Sequence, residues 1–183
     1  YDSDYLLKSL SDSKLDNVHI YDCTNQWGVF SIAGPNSRNF LKKIVVSEDP
    51  DRTLSNKEFP WLSYRDIELG MCPVRALRVA YTGELGWELH HPIEMQNYLL
   101  GILLSSGEEF DIKLVGARAQ NWLRQEKSYK AFGSDLGRDA GPFESNLRKF
   151  VDLNKDFLGK KALLNRKIEV SCVTLLIDGP ENI

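Results

Sequence analysis

The chain has 183 residues, 42% of them hydrophobic and 27% charged, the composition of a globular protein large enough to bury a core. Its 23 basic and 26 acidic residues leave a net charge of -3 with no long run of one sign, so no nucleic-acid-binding face is expected. The longest apolar run, residues 98–104, falls well short of the roughly 18 residues a membrane-spanning helix requires, and no membrane partner is expected.

In chain order, residues 4–15 place Leu6, Leu7, Leu10 and Lys14 at helical spacing, with Ser3 or Asp4 as N-cap. Two strands are expected at 18–22 and 27–33, joined by a polar turn at Asn25 and Gln26. A helix opening at Gly34-Pro35-Asn36-Ser37 carries Phe40, Leu41 and Ile44, and the polar stretch 47–57 reads as a loop. Strands follow at 61–69, 74–81 and 87–90, the last two joined by the turn at Gly83-Glu84-Leu85-Gly86. Helices are expected from Pro92 to Leu104, over 115–127 and over 158–167, with a turn-rich stretch at 133–142 and a closing strand at 170–177. Hairpin-like strand pairs with helices between them predict an α+β fold, with mainly antiparallel sheets and flanking helices. The closing strand has no later partner, and the chain opens on Tyr1, so a piece of a longer protein is expected.

Cys23, Cys72 and Cys172 are far apart and odd in number; with only three histidines, they form no metal-ligand spacing, and no metal is expected. Reduced thiols are the expectation, and with them a reducing compartment: the cytoplasm, or the mitochondrial matrix in a eukaryote.

The segment Tyr81-Thr82-Gly83-Glu84-Leu85-Gly86-Trp87-Glu88 is the most informative. A hairpin with positive-φ glycines at 83 and 86 would deliver Tyr81 and Glu88 from neighbouring strands to one pocket. A carboxylate set among Trp87, Tyr81 and Leu89 can accept two parallel N–H bonds from a flat heterocycle such as a pterin. On the residues alone, an ordinary hairpin with a surface glutamate is the simpler reading.

This segment resembles the YTGExGxE signature of the glycine cleavage T-protein (aminomethyltransferase) superfamily. Three further stretches agree in order. Asp22-Cys23-Thr24 through Ala33-Gly34-Pro35-Asn36-Ser37-Arg38 is similar to the family's D(V/L)T…VQGPxSR segment. Residues 123–136, with Arg124, Glu126, Tyr129 and Asp135, are similar to LRxEKxYRxWGxDx, and residues 156–163 to DFIGKxAL. The wording at 126–136 resembles the folate-binding halves of dimethylglycine and sarcosine dehydrogenases, and Arg118 with Gln120 fits that branch better than the T-proteins proper.

The resemblance implies a ferredoxin-like folate-binding domain over 1–168 and the start of a C-terminal β-barrel domain over 169–183. It implies tetrahydrofolate as cofactor, with contacts at Tyr81, Glu88, Leu89, His90 and Lys149. Glu88 would hold the pterin edge, Leu89 and His90 would line the same wall, and Lys149 falls where the dehydrogenases place an aromatic. Arg124 and Glu126 match a structural ion pair. The implied partner is a small methylated amine or an aminomethyl-lipoyl carrier, whose one-carbon unit N5 of tetrahydrofolate captures. The family's catalytic aspartate and, in dehydrogenases, the FAD-binding half are expected upstream of Tyr1. No catalytic residue is therefore expected within the chain, which alone would be inactive. A free-standing T-protein relative and a non-catalytic folate-fold module remain open; the latter usually carries a KGCYxGQE-like stretch, whose cysteine is absent at Lys127-Ser128-Tyr129.

Overall fold

The computed structural model describes residues 2–13 and 15–175. The chain forms two compact units, Tyr1–Val79 with Gly86–Ile112, and Ala80–Leu85 with Lys113–Ile183. In the first, α1 (Asp2–Ser13) precedes β1 (Trp27–Ala33), α2 (Ser37–Ile44), the single turn α3 (Pro50–Thr53), β2 (Tyr64–Leu69), β3 (Cys72–Leu77), β4 (Gly86–Pro92) and α4 (Gln96–Gly107). The second holds α5 (Ala117–Glu126) and α6 (Lys160–Asn165) among turns.

The sheet is antiparallel throughout, in the order β1-β4-β3-β2. Its sequence alternation explains its two faces. On β3, Cys72, Val74 and Ala76 point inward while Pro73 and Arg75 point out; on β4, Trp87, Leu89 and His91 are buried while Glu88 and His90 are half-buried. The inward side chains join Phe40 and Leu41 of α2 and Leu99 and Leu103 of α4 in one apolar core. Full burial of each larger apolar side chain among them, such as Val74, Leu89 or Leu99, stabilises the unit by about 1.5–3 kcal/mol. The α+β fold with a mainly antiparallel sheet is as the sequence predicts.

Several local expectations are corrected. Residues 18–22 form no strand, because no neighbouring strand supplies their hydrogen bonds. Ser3 and Asp4 lie within the first turn of α1 rather than capping it. The stretch 47–57 contains α3, capped by Asp49, whose carboxylate accepts the Arg52 N–H at 2.9 Å, with Pro50 in the first turn. Pro92 closes β4, and α4 begins only at Gln96 after a 3-10 turn.

The largest correction concerns 78–85. β3 stops at Leu77, where the Val79 N–H bonds back to the Leu77 carbonyl at 3.0 Å in a three-residue turn about Arg78. Leu77, not Tyr81, therefore sits opposite Glu88. Of the two turn glycines only Gly83 has positive φ, at 71°; Gly86 is the buried first residue of β4. Of the closing strand expected at 170–177, residues 170–175 carry no sheet pairing, and 176 and 177 lie outside the described residues. No helix among the described residues is long and apolar enough to cross a membrane, and Cys23, Cys72 and Cys172 are free thiols.

Candidate functional site

In the first unit the outward face of β4 presents Glu88 and His90 two residues apart. His90 Nε2 lies 3.3 Å from Glu88 Oε2, with the two side chains 31% and 37% exposed, so both remain open to a ligand. Across the sheet, Glu88 faces Ser31 on β1 and Leu77 on β3, neither of them a cation. His90 faces Val29 and Arg75, and Arg75 is committed to Asp66 through contacts of 2.8 and 3.2 Å. The pleat separates Leu89 from its two neighbours, because it points into the core and has no exposed surface. Leu89 thus supports the strand from below instead of sharing a wall with Glu88 and His90.

The second unit is organised by its helix end. Helix α5 closes with Ser128 in the left-handed conformation, φ 58°, where glycine is the usual occupant. The Ser128 N–H bonds to the Gln125 carbonyl and the Tyr129 N–H to the Arg124 carbonyl, at 2.9 and 2.8 Å. This reversal brings the Tyr129 ring onto Tyr81, with centroids 6.3 Å apart, and the Tyr81 hydroxyl donates to the Lys130 carbonyl at 2.8 Å. A Cβ on Gly83 would lie 2.3 Å from Lys127 Cγ, so this turn admits only glycine without displacing that side chain. Tyr81 and Lys149 line one cavity of about 640 Å³, together with Tyr129, Asn146 and Phe150.

Two charged nodes stand where an apolar core would be. Arg124 is buried, donating to Asn121 Oδ1 at 2.8 Å, to the Tyr129 carbonyl at 2.9 Å and to the Asp135 carboxylate. The Ala131 N–H, helped by Arg124, holds the Asp135 carboxyl below its ordinary range. Buried Glu144 pairs with Arg166, which also donates to the carbonyls of Arg138 and Asp139. Hydrogen bonds from its own backbone N–H and from Arg166 likewise hold the Glu144 carboxyl low. The partner of Arg124 is therefore Asp135, not Glu126, which is exposed. Sequence reasoning missed this pairing although Arg124, Tyr129 and Asp135 all belong to one matched motif; their fixed spacing was the available signal.

An antiparallel sheet with its helices gathered over one buried face defines an α+β protein. Residues 1–155 match the GCVT N-terminal domain family, and the chain belongs to that family. It is 40% identical over 169 residues to mitochondrial dimethylglycine dehydrogenase of Mus musculus, covering 88% of this chain and 19% of the relative. Against mitochondrial sarcosine dehydrogenase of Homo sapiens it is 33% identical over 156 residues, covering 84% and 16%. Against the aminomethyltransferase of Chlorobium limicola it is 31% identical over 157 residues, covering 85% and 41%. The chain is thus homologous to one segment of each and spans less than half of their length.

Proposed function

We propose that the chain binds tetrahydrofolate and serves as the folate-handling part of a dehydrogenase acting on a small methylated amine. Family membership over residues 1–155 carries the reading, and the half-exposed Glu88 carboxylate supports it. A pterin offers an amino group and an adjacent ring N–H side by side, and an ionised carboxylate, which only accepts hydrogen bonds, matches both. With no cation opposite it on β1 or β3, Glu88 keeps lone pairs available for that edge. Tetrahydrofolate, when bound, supplies N5 as the nucleophile that takes up a one-carbon unit. Within this chain Glu88 would orient the ring, and Leu89 would brace the strand beneath it. Tyr81 and Lys149 are the candidates of the second unit, to be tested separately from Glu88.

FAD does not fit this chain, which has no GxGxxG fingerprint, and a flavin is proposed only for the remainder of a dehydrogenase-type protein. The mitochondrial relatives support a matrix location in a eukaryotic source. The match to an aminomethyltransferase supports a second reading, in which the one-carbon unit arrives on an aminomethyl-lipoyl carrier. Oxidation of dimethylglycine or sarcosine by the full-length protein separates the two, since only the first reading expects it. Isothermal titration of tetrahydrofolate tests the anchor: Glu88→Gln should weaken binding by about one to two orders of magnitude. Unchanged affinity would remove Glu88 from the site.

A further inference from the structure

We infer that His90 is a positioning residue for Glu88, fixing the carboxylate in the orientation in which it receives its ligand. The inference rests on the folate reading above and deepens it. A strand side chain with only Ser31 and Leu77 opposite it has nothing across the sheet to hold a charge in place. The sole ion-pair partner of Glu88 among the described residues is His90, at 3.3 Å along the same face of β4. Arg75, the other cation in the adjoining row, is held by both oxygens of Asp66 and does not compete.

The donor arithmetic is consistent with this role. An ionised carboxylate only accepts, so His90 Nε2 carries the proton in this contact. A carboxylate has about four lone-pair sites; one bond from His90 leaves enough for two parallel N–H donors. An imidazole supplies a single N–H in that direction and does not cover the carboxylate as a bidentate guanidinium would. The ring is also stiffer than a lysine chain, so the oxygen it holds stays oriented.

The test is isothermal titration of tetrahydrofolate into the full-length protein as wild type, Glu88→Gln, His90→Phe, His90→Gln and the double variant Glu88→Gln/His90→Phe, with Tm recorded for each. The position is part-exposed, so all should fold with Tm near wild type. His90→Phe should weaken binding about tenfold, the loss of one charge-assisted hydrogen bond. His90→Gln, whose amide N–H can occupy the Nε2 position, should restore affinity to within about twofold of wild type. In the Glu88→Gln background His90→Phe should cost nothing further, because the group it positions is gone. Normal binding by His90→Phe, with binding by Glu88→Gln impaired, overturns the positioning role and leaves the folate anchor standing. Equal loss in His90→Phe and His90→Gln also overturns it. Normal binding by Glu88→Gln overturns the anchor itself and the inference with it.

Discussion

The two units are stabilised by different physics. Every buried hydrophobic side chain among the described residues belongs to the first unit, from Ile32 through Leu103. In the second, the buried residues are Arg124, Glu144 and Ser145, while Phe132, Phe150 and Leu158 are exposed. A sheet can gather apolar side chains because alternation sends every second one inward. A turn-rich segment has no such period and here relies on satisfying charges and carbonyls at fixed points. The first arrangement depends on the volume that fills it, the second on charged groups that stay paired.

Removing volume from the first unit should have the largest effect. Trp87 has no exposed surface and meets Phe59 edge-on with ring centroids 6.3 Å apart. Trp87→Ala should cost about 3–5 kcal/mol, read as a lowered urea midpoint of the sheet's far-UV signal. A loss below about 1 kcal/mol would mean that this core is not the source of the unit's stability.

Breaking a node should come next. Arg124→Met leaves Asp135 and the Tyr129 carbonyl without their shared donor and should cost about 3 kcal/mol. Hydrogen exchange should then rise across 115–150 and stay unchanged on β1 and β4. A uniform rise would show that the two units unfold together.

Acid should separate the units without mutation. Asp135 and Glu144 have carboxyl groups held below their ordinary range, so the unfolded chain binds protons before the folded one does. The stability they contribute is full above the ordinary carboxylate range and is lost as pH falls through and below it. On lowering pH from about 6 toward 3, amide protection in the second unit should fall first. Simultaneous loss in both would count against the contrast.

The smallest effect is a gain. Ser128→Gly removes the side-chain strain at φ 58° and should stabilise the end of α5 by about 1 kcal/mol, measured by thermal unfolding. No gain would show that the Ser128–Thr174 hydroxyl contact at 2.7 Å offsets the strain.

What was legible in the sequence follows the same division. The helix carrying Phe40 and Leu41 is readable because apolar period and burial coincide there, and the strand at 27–33 because it is a nearly continuous apolar run, although Trp27 and Val29 are exposed. Val18 and Ile20 also alternate, yet pairing is a property of two strands and is not visible in one. Val79 and Tyr81 continue the alternation of β3, but Arg78 turns the chain and donates to the Phe59 carbonyl at 2.6 Å, a partner far away in sequence. With its backbone also bonded to Ser63 and Leu62, the chain leaves the sheet at Arg78, and Leu77 is the residue that pairs with Glu88. In the second unit the motif residues were recognisable, but Arg124 and Asp135 are joined through a coil whose path no periodicity describes. The Glu88–His90 pair follows from strand alternation alone once β4 is placed, because residues two apart share a face.

The distribution of tryptophans gives the molecule an internal set of optical reporters. Trp87 is fully enclosed and its Nε1 has no hydrogen-bond partner, whereas Trp27, Trp61 and Trp122 are 45%, 68% and 54% exposed. An indole sealed among Phe59, Leu89 and their neighbours emits toward the blue, and the three wetted ones emit toward the red. Trp122 alone lies in the second unit. Replacing the other two exposed indoles by phenylalanine would leave one colour for each unit, so that a single fluorescence spectrum would follow the melting of both at once.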